Sequence, residues 1–120
     1  IIGSAVRVPT ASVSAVDLAV LLARPASAAE VNAVLQGARG GGVIGTTDRA
    51  LVSTDLRARG ESIIMALPET RLVPTPQGPL LRVFGWYDNE WGFSNRMLDM
   101  AKRMGTTVPL HQSAPINPAE

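Results

Sequence analysis

The sequence is organised around residues 80 to 90, which read Leu80-Leu81-Arg82-Val83-Phe84-Gly85-Trp86-Tyr87-Asp88-Asn89-Glu90. The first eight residues alternate between two faces, as a strand requires. Leu81 and Val83 share one face, and an arginine and two aromatic residues share the other. Directly afterwards, Asp88 or Asn89 precedes Glu90 as a standard helix N-cap. This stretch therefore predicts a strand that leads straight into a helix.

The helix is predicted from about Glu90 to Met104. Its apolar side chains, which include Phe93 and Met97, recur at helical spacing and form one stripe, whereas charged residues such as Arg96 face away. Residues 105 to 120 contain three prolines and no periodic pattern. We expect a disordered tail there.

A second strand is predicted upstream, over residues 13 to 22. It alternates as well, and its well-buried face consists of Val16, Leu18, Val20 and Leu22. A helix follows, because Ser27 precedes Glu30 by three residues in the arrangement of a capping box. The glycines at positions 40 to 42 end this helix. Because this glycine run follows a helix and does not open one, it is not a dinucleotide-binding fingerprint.

The middle of the chain, residues 43 to 87, is β-like. The strand candidates are residues 52 to 54, 62 to 67 and 80 to 87, and the predicted turns contain Pro68, Pro74, Pro76 and Gly78-Pro79. The predicted fold class is α+β: a partial, mostly antiparallel sheet with one inserted helix and a C-terminal helix.

Composition excludes several classes of function. A formal net charge of +1 and scattered basic residues argue against a nucleic-acid surface. No apolar stretch is long enough to span a membrane. The 120 residues contain no cysteine and one histidine, His111, in the predicted tail. Thiolate chemistry, metal binding and a Ser/His/Asp triad are thus not expected within these residues, and we assign no catalytic residue.

Two stretches go beyond a generic pattern. The first is Gly3-Ser4-Ala5-Val6-Arg7-Val8-Pro9-Thr10, and the second is Trp86-Tyr87-Asp88-Asn89-Glu90-Trp91-Gly92-Phe93-Ser94-Asn95-Arg96. In order and separation both resemble signature stretches of the glyceraldehyde-3-phosphate dehydrogenase family. The resemblance covers roughly residues 3 to 104. It implies that residues 1 to 104 form the C-terminal part of a dehydrogenase catalytic domain, followed by the tail.

The resemblance implies an activity for the complete enzyme. Members of the family are cytoplasmic homotetramers of glycolysis that oxidise glyceraldehyde 3-phosphate with NAD and inorganic phosphate. Their cysteine thiolate and its histidine precede the stretch resembled by residues 3 to 10, as does the nucleotide-binding domain. The 120 residues are therefore expected to be inactive alone. The alternatives are a fragment of an erythrose-4-phosphate dehydrogenase, or a non-catalytic remnant that associates with dehydrogenase subunits.

The resemblance also assigns roles to two residues. Arg7 would bind the phosphate of the substrate or the attacking phosphate; otherwise it is an ordinary surface or salt-bridged arginine. Asn89 would bind the nicotinamide carboxamide of NAD, a role compatible with an N-cap position. The sequence departs from the family where Phe93 replaces the commoner tyrosine and where Ala11-Ser12 replaces Pro-Asn.

Overall fold

The computed structural model describes residues 2 to 107. The elements in chain order are β1 (Ser14–Leu21), α1 (Ala28–Gly37), β2 (Ile44–Thr47), β3 (Ile63–Ala66), β4 (Arg71–Thr75), β5 (Gly78–Tyr87) and α2 (Trp91–Thr107). Short 3-10 turns lie at Ser53–Leu56 and Leu67–Glu69. The predicted α+β class, the inserted helix and the C-terminal helix are confirmed.

Strand β5 is the centre of a five-stranded sheet. Along one side it pairs with the whole of β1 in antiparallel register, from Ser14 opposite Tyr87 to Leu21 opposite Leu80. Along its other side it pairs first with β4 and then with β3, again antiparallel. Strand β2 extends the sheet by pairing with β3 in parallel. The sheet is therefore mostly antiparallel, as predicted, with one parallel pair.

Small clusters of buried side chains lie on the two faces of this sheet. Met65, Leu81 and Val83 form one cluster, which the apolar residues Val31 and Leu35 of α1 cover. Val13, Leu56 and Ile64 form the other, with Leu51 and Trp86 packed against it. Alternation places Ile64 and Met65 of β3 in different clusters, as the pleat of a strand requires.

The capping box predicted for α1 is confirmed. The Ser27 hydroxyl accepts a hydrogen bond from Glu30 N at 3.2 Å, and Ser27 N donates to Glu30 Oε2 at 2.7 Å. Asn32 then ties the helix to the sheet, because its amide donates to the Leu67 carbonyl at 3.2 Å and accepts from the Thr70 hydroxyl at 2.7 Å.

Two local predictions are wrong. Residues 52 to 54 are not a strand, because Asp55 Oδ2 accepts from Val52 N at 3.0 Å and closes a 3-10 turn. Pro74 and Pro79 do not lie in turns but pair with each other in β4 and β5. Because no strand pairs with the other side of β4 in the described residues, the missing N–H of Pro74 disrupts no ladder there.

The predicted buried face of β1 is exposed over half of its length, and the apolar stripe of α2 is exposed as well. In β1, Val16 and Leu18 are 41% and 48% exposed, because α1 covers only the end of the sheet near Val20 and Leu22. In α2, Phe93 of the apolar stripe is 63% exposed, whereas Arg96, which was predicted to face away, has a side chain that is only 28% exposed. The helix also continues through residues 105 to 107, and the rest of the predicted tail lies outside the described residues.

Candidate functional site

The turn between β5 and α2 is held by Asp88, whose side chain is buried. Its Oδ1 accepts hydrogen bonds from Glu90 N at 3.0 Å and from Trp91 N at 2.9 Å. Its Oδ2 accepts from Ala58 N at 2.9 Å. Asp88 is therefore the N-cap of α2 and also a link to a segment 30 residues earlier in the chain.

These hydrogen bonds also set the charge of the Asp88 side chain. The bond from the Trp91 amide contributes most to lowering the pKa of this carboxyl, with further contributions from the Ala58 and Glu90 amides and from the nearby Arg57. Partial burial acts in the opposite direction. Asp88 is therefore ionised near neutral pH, as an N-cap at the positive end of a helix dipole favours.

The first turns of α2 pack closely on the same part of the chain. A Cβ added at Gly92 would lie 2.8 Å from the Glu61 carbonyl oxygen, so only glycine allows this approach. One turn later, Arg96 Nη1 donates to the Gly42 carbonyl at 2.6 Å and to the Ser62 hydroxyl at 3.3 Å. The start of the helix is thus fixed by backbone and side-chain contacts, although its apolar stripe is not covered.

Asn89 lies inside this fixed turn and is exposed. Its side chain makes no hydrogen bond to another described residue, because Asp88 supplies the cap. Of the two capping positions left open by the sequence, the structure thus selects Asp88. The Asn89 amide remains available as both a donor and an acceptor.

Arg7 lies in an exposed segment without regular secondary structure before β1. Its guanidinium forms no ion pair with any residue between positions 2 and 107. The hydrogen bonds near it are local: Thr10 N donates to the Val8 carbonyl at 2.9 Å, and the Thr10 hydroxyl donates to the Ser12 carbonyl at 3.3 Å. Arg7 is therefore an exposed cation without a counter-ion in the described part of the chain.

An open cleft of about 510 Å³ lies between the second signature stretch and the two residues that follow the first. Ala11 and Ser12, which directly follow the first stretch, line it together with four residues of the second stretch; the full lining is Ala11, Ser12, Thr54, Arg57, Ala58, Asp88, Glu90, Trp91 and Ser94. The buried Ser12 hydroxyl has no hydrogen-bond partner in the described structure. Arg7 and Asn89 are not among the lining residues, so the structure brings together their neighbours but not the two predicted side chains themselves.

A second cleft, of about 240 Å³, lies elsewhere on the sheet, where Phe84 and Trp86 pack edge to face with ring centroids 5.0 Å apart. Arg49 and Arg82 also line it. Arg82 is held by Asp17 in a bidentate pair with both distances 2.8 Å. Of the two signature stretches only Trp86 lines this smaller cleft, whereas four residues of the second stretch line the larger one, so we place the site at the larger cleft.

Residues 2 to 107 hold no group of three or more histidine, cysteine, aspartate or glutamate side chains placed to bind a metal ion. Within the same range, neither helix is both long enough and apolar enough to cross a membrane.

Sequence reasoning did not anticipate the role of the segment around Arg57 and Ala58. Ala58 has a φ of 57°, a left-handed conformation. Neither an alanine at this position nor the hydrophobic periodicity around it predicts that conformation. The Asp88 cap was recognisable as one of two alternatives, since aspartate directly before a helical pattern is a start signal. Its second bond, to Ala58, spans 30 residues and has no local signature.

Comparison with known proteins agrees with the resemblance of these two stretches. Residues 1–89 match the family model described as glyceraldehyde 3-phosphate dehydrogenase, C-terminal domain. The glyceraldehyde-3-phosphate dehydrogenase of Cereibacter sphaeroides is 42% identical over 106 residues, which are 86% of this chain and 31% of the relative. That of Zymomonas mobilis is 44% identical over 110 residues, or 88% of this chain and 32% of the relative. The chromosomal enzyme of Cupriavidus necator is 45% identical over 102 residues, or 82% and 29%.

The chain spans about a third of the length of these relatives. The family model covers both Arg7 and Asn89. The chain therefore belongs to the glyceraldehyde-3-phosphate dehydrogenase family and corresponds to part of its C-terminal domain.

Proposed function

We propose that these residues are a working part of an NAD-dependent, phosphorylating dehydrogenase, an oxidoreductase that acts on the aldehyde group of glyceraldehyde 3-phosphate in the cytoplasm. Family membership carries this proposal, together with the two exposed side chains, Arg7 and Asn89, on the signature stretches. Erythrose 4-phosphate is the alternative substrate, because it combines an aldehyde with a phosphate in the same way.

Arg7 supplies the anion-binding function in this proposal. A guanidinium stays charged and can bind two phosphate oxygens at once, and Arg7 has no counter-ion in the described residues that an anion would have to displace. The ligand is the phosphate of the substrate or the inorganic phosphate that attacks the acyl intermediate.

Asn89 supplies the nicotinamide contact. The carboxamide of NAD presents one donor group and one acceptor, and the Asn89 amide offers the matching pair without losing any hydrogen bond to the described chain. NAD itself supplies the hydride acceptor. The described residues fit only the nicotinamide end of NAD. The glycine run at positions 40 to 42 follows helix α1 and does not open a helix, so it is not a dinucleotide-binding fingerprint.

We further propose that the 120-residue polypeptide oxidises nothing by itself. Acyl transfer through a thioester needs a thiolate, and these residues contain no cysteine. The test is an assay of the purified chain with glyceraldehyde 3-phosphate, NAD and phosphate, with an intact family member as the positive control. We expect no NADH above the blank. A rate that scales with the concentration of the chain would contradict the proposal.

The roles of Arg7 and Asn89 are tested in the whole dehydrogenase that carries them. We expect Arg7→Gln to raise the KM for phosphate or for the phosphorylated aldehyde, and Asn89→Ala to raise the KM for NAD, each about tenfold or more, as the loss of a charged or bidentate contact predicts. Unchanged KM values in both variants would overturn the assignment.

A second candidate function, association with dehydrogenase subunits, is favoured by one observation. Apolar side chains along α2 are more than half exposed, namely Trp91, Phe93, Met97, Leu98, Met100 and Met104. Phe93, Met97, Met100 and Met104 share one face of the helix, and an uncovered apolar stripe of this kind marks a contact surface. We propose that further dehydrogenase polypeptide covers it, in a homo-oligomer. Sedimentation of the purified chain as a monomer at micromolar concentration, with no binding to an intact family member, would contradict association.

A further inference from the structure

The Asp88 side chain connects the turn that contains Asn89 to a part of the chain that is distant in sequence. One carboxylate oxygen holds the Glu90 and Trp91 amides at the start of α2, and the other holds the Ala58 amide at 2.9 Å. The carboxylate is buried and its bonds form a bridge between two backbone segments. A cap alone would need only one of the two oxygens.

The Ala58 end of this bridge is held in an unfavourable conformation. A left-handed φ of 57° is disfavoured for alanine because its Cβ crowds the backbone. The Asp88 carboxylate is the side-chain acceptor for the Ala58 amide. Residues 57 and 58 both line the open cleft beside Asp88. The structure thus maintains a strained backbone position at the wall of the cleft, and Asp88 is its hydrogen-bonding partner.

The position of Asn89, directly after Asp88, explains why this arrangement matters for binding. Asparagine is itself a preferred N-cap. If Asp88 did not accept the first amides of α2, Asn89 would be the next side chain able to cap the helix, and its amide oxygen would turn inward. Because Asp88 occupies that position, the Asn89 amide is exposed and makes no hydrogen bond within the described chain.

We propose that Asp88 is a positioning residue: its bridge between Ala58 and the start of α2 holds the Asn89 turn in one conformation with the Asn89 amide directed to a ligand. The identity of that ligand as the nicotinamide carboxamide rests on the proposed function. The conformational role of Asp88 does not, because it depends only on contacts within the described residues.

The test compares 15N relaxation of the native 120-residue chain with that of Asp88→Ala and Asp88→Ser. Alanine removes both halves of the bridge. Serine keeps a capping oxygen for the start of α2 but is too short to reach Ala58, so it separates the two halves and serves as the second variant if Asp88→Ala does not fold. Gly105→Ala is the matched control, since that position in the same helix has no neighbour within 4 Å.

We expect the order parameter of Asn89 to be about 0.85 in the native chain and in Gly105→Ala, and to fall below about 0.6 in Asp88→Ala. In Asp88→Ser the Trp91 amide should stay protected from exchange while Asn89 still loses order. That combination distinguishes positioning from a merely structural role, which would change both together. An Asn89 order parameter in Asp88→Ser equal to the native value would overturn the proposal.

Titration with NAD keeps this result separate from the proposed function. A shift of the Asn89 side-chain amide signal on addition of NAD to the native chain, absent in Asp88→Ser, supports both proposals. An ordered Asn89 that depends on Asp88 but does not respond to NAD in the chain or in the whole dehydrogenase supports the positioning role and contradicts the cofactor assignment.

Discussion

The two signature stretches resemble the same family, but the chain holds them very differently. The stretch around Asn89 is fixed by the bridge of Asp88, by the close approach of Gly92 to the Glu61 carbonyl and by the bonds of Arg96 to Gly42 and Ser62. The stretch around Arg7 is exposed and has no regular secondary structure, and the hydrogen bonds of its residues reach no farther than two positions along the chain.

The difference shows which part of a binding site a sequence motif can supply by itself. Asn89 receives its position from hydrogen bonds within the described residues, so its geometry is a property of this chain. Arg7 has no such support before Val13, which is 4% exposed and is the first side chain of this stretch to enter the core. We infer that the position of Arg7 is completed by a ligand or by further polypeptide.

The largest loss of stability is expected when Gly92, in the fixed stretch, is changed to alanine. Because the new Cβ would lie 2.8 Å from the Glu61 carbonyl oxygen, a rigid backbone atom, α2 must move away from this segment. We expect the free energy of unfolding, measured with urea, to fall by about 3 kcal/mol, as for an overpacked position. Gly105→Ala is the control and should be neutral or stabilising by up to about 1 kcal/mol. Equal effects at the two glycines would contradict the close approach.

The next largest effect is expected at Val13, which joins the exposed stretch around Arg7 to the core. Val13→Ala removes apolar contacts with the cluster of Leu56 and Ile64, and should destabilise the chain by about 2 kcal/mol. Val16→Ala, at a position 41% exposed in β1, should cost less than about 0.5 kcal/mol. Thermal unfolding of both variants checks this, and a Val16 effect as large as that of Val13 would show that β1 is covered in solution.

Replacing one arginine in each stretch by glutamine compares the two stretches directly. Arg96→Gln loses hydrogen bonds from a charged donor to the Gly42 carbonyl and the Ser62 hydroxyl, and should cost about 1.5 kcal/mol. Arg7→Gln removes no contact with a described residue and should change stability by less than about 0.5 kcal/mol. If denaturant unfolding finds Arg7→Gln as destabilising as Arg96→Gln, Arg7 has a structural partner that this account lacks.

The smallest effect is a dependence of stability on pH that belongs to Asp88. The amide bonds lower its pKa in the folded chain below the ordinary value of 3.8. The contribution of its ionised form is therefore complete above pH 3.8 and is lost as pH falls through the folded pKa. We expect Asp88→Ser, which keeps a capping oxygen but loses the bond to the Ala58 amide, to cost about 1 kcal/mol near pH 7, the size of one hydrogen bond, and less as the solution is acidified. A difference between native and variant that grows on acidification would contradict this sign.

Much of the fold could be predicted because its signals are local. The alternation of residues 80 to 87 and the capping box at Ser27 depend on neighbours a few positions apart, and both are confirmed. The orientation of α2 could not be predicted in this way. An apolar stripe is expected to face a core, but in the described residues Arg96 faces the sheet side of the chain and Phe93 is exposed. Periodicity identifies the stripe and does not say which polypeptide covers it.

The candidate site also has a part that the sequence predicts and a part that it does not. The resemblance of two stretches selected Arg7 and Asn89 without any geometry, and their binding roles stay predictions. The bond from Ala58 to Asp88 and the left-handed conformation of Ala58 arise from tertiary packing, so no pattern of residues around position 58 indicated them.

Hydrogen exchange of the native 120-residue polypeptide measures whether this chain alone fixes one signature stretch and not the other. We predict that the Ala58, Glu90 and Trp91 amides, all bonded to Asp88, exchange much more slowly than unstructured peptide. The amides of residues 3 to 8 should exchange at nearly the unstructured rate. Equal protection of the two stretches, whether both high or both low, would contradict the account.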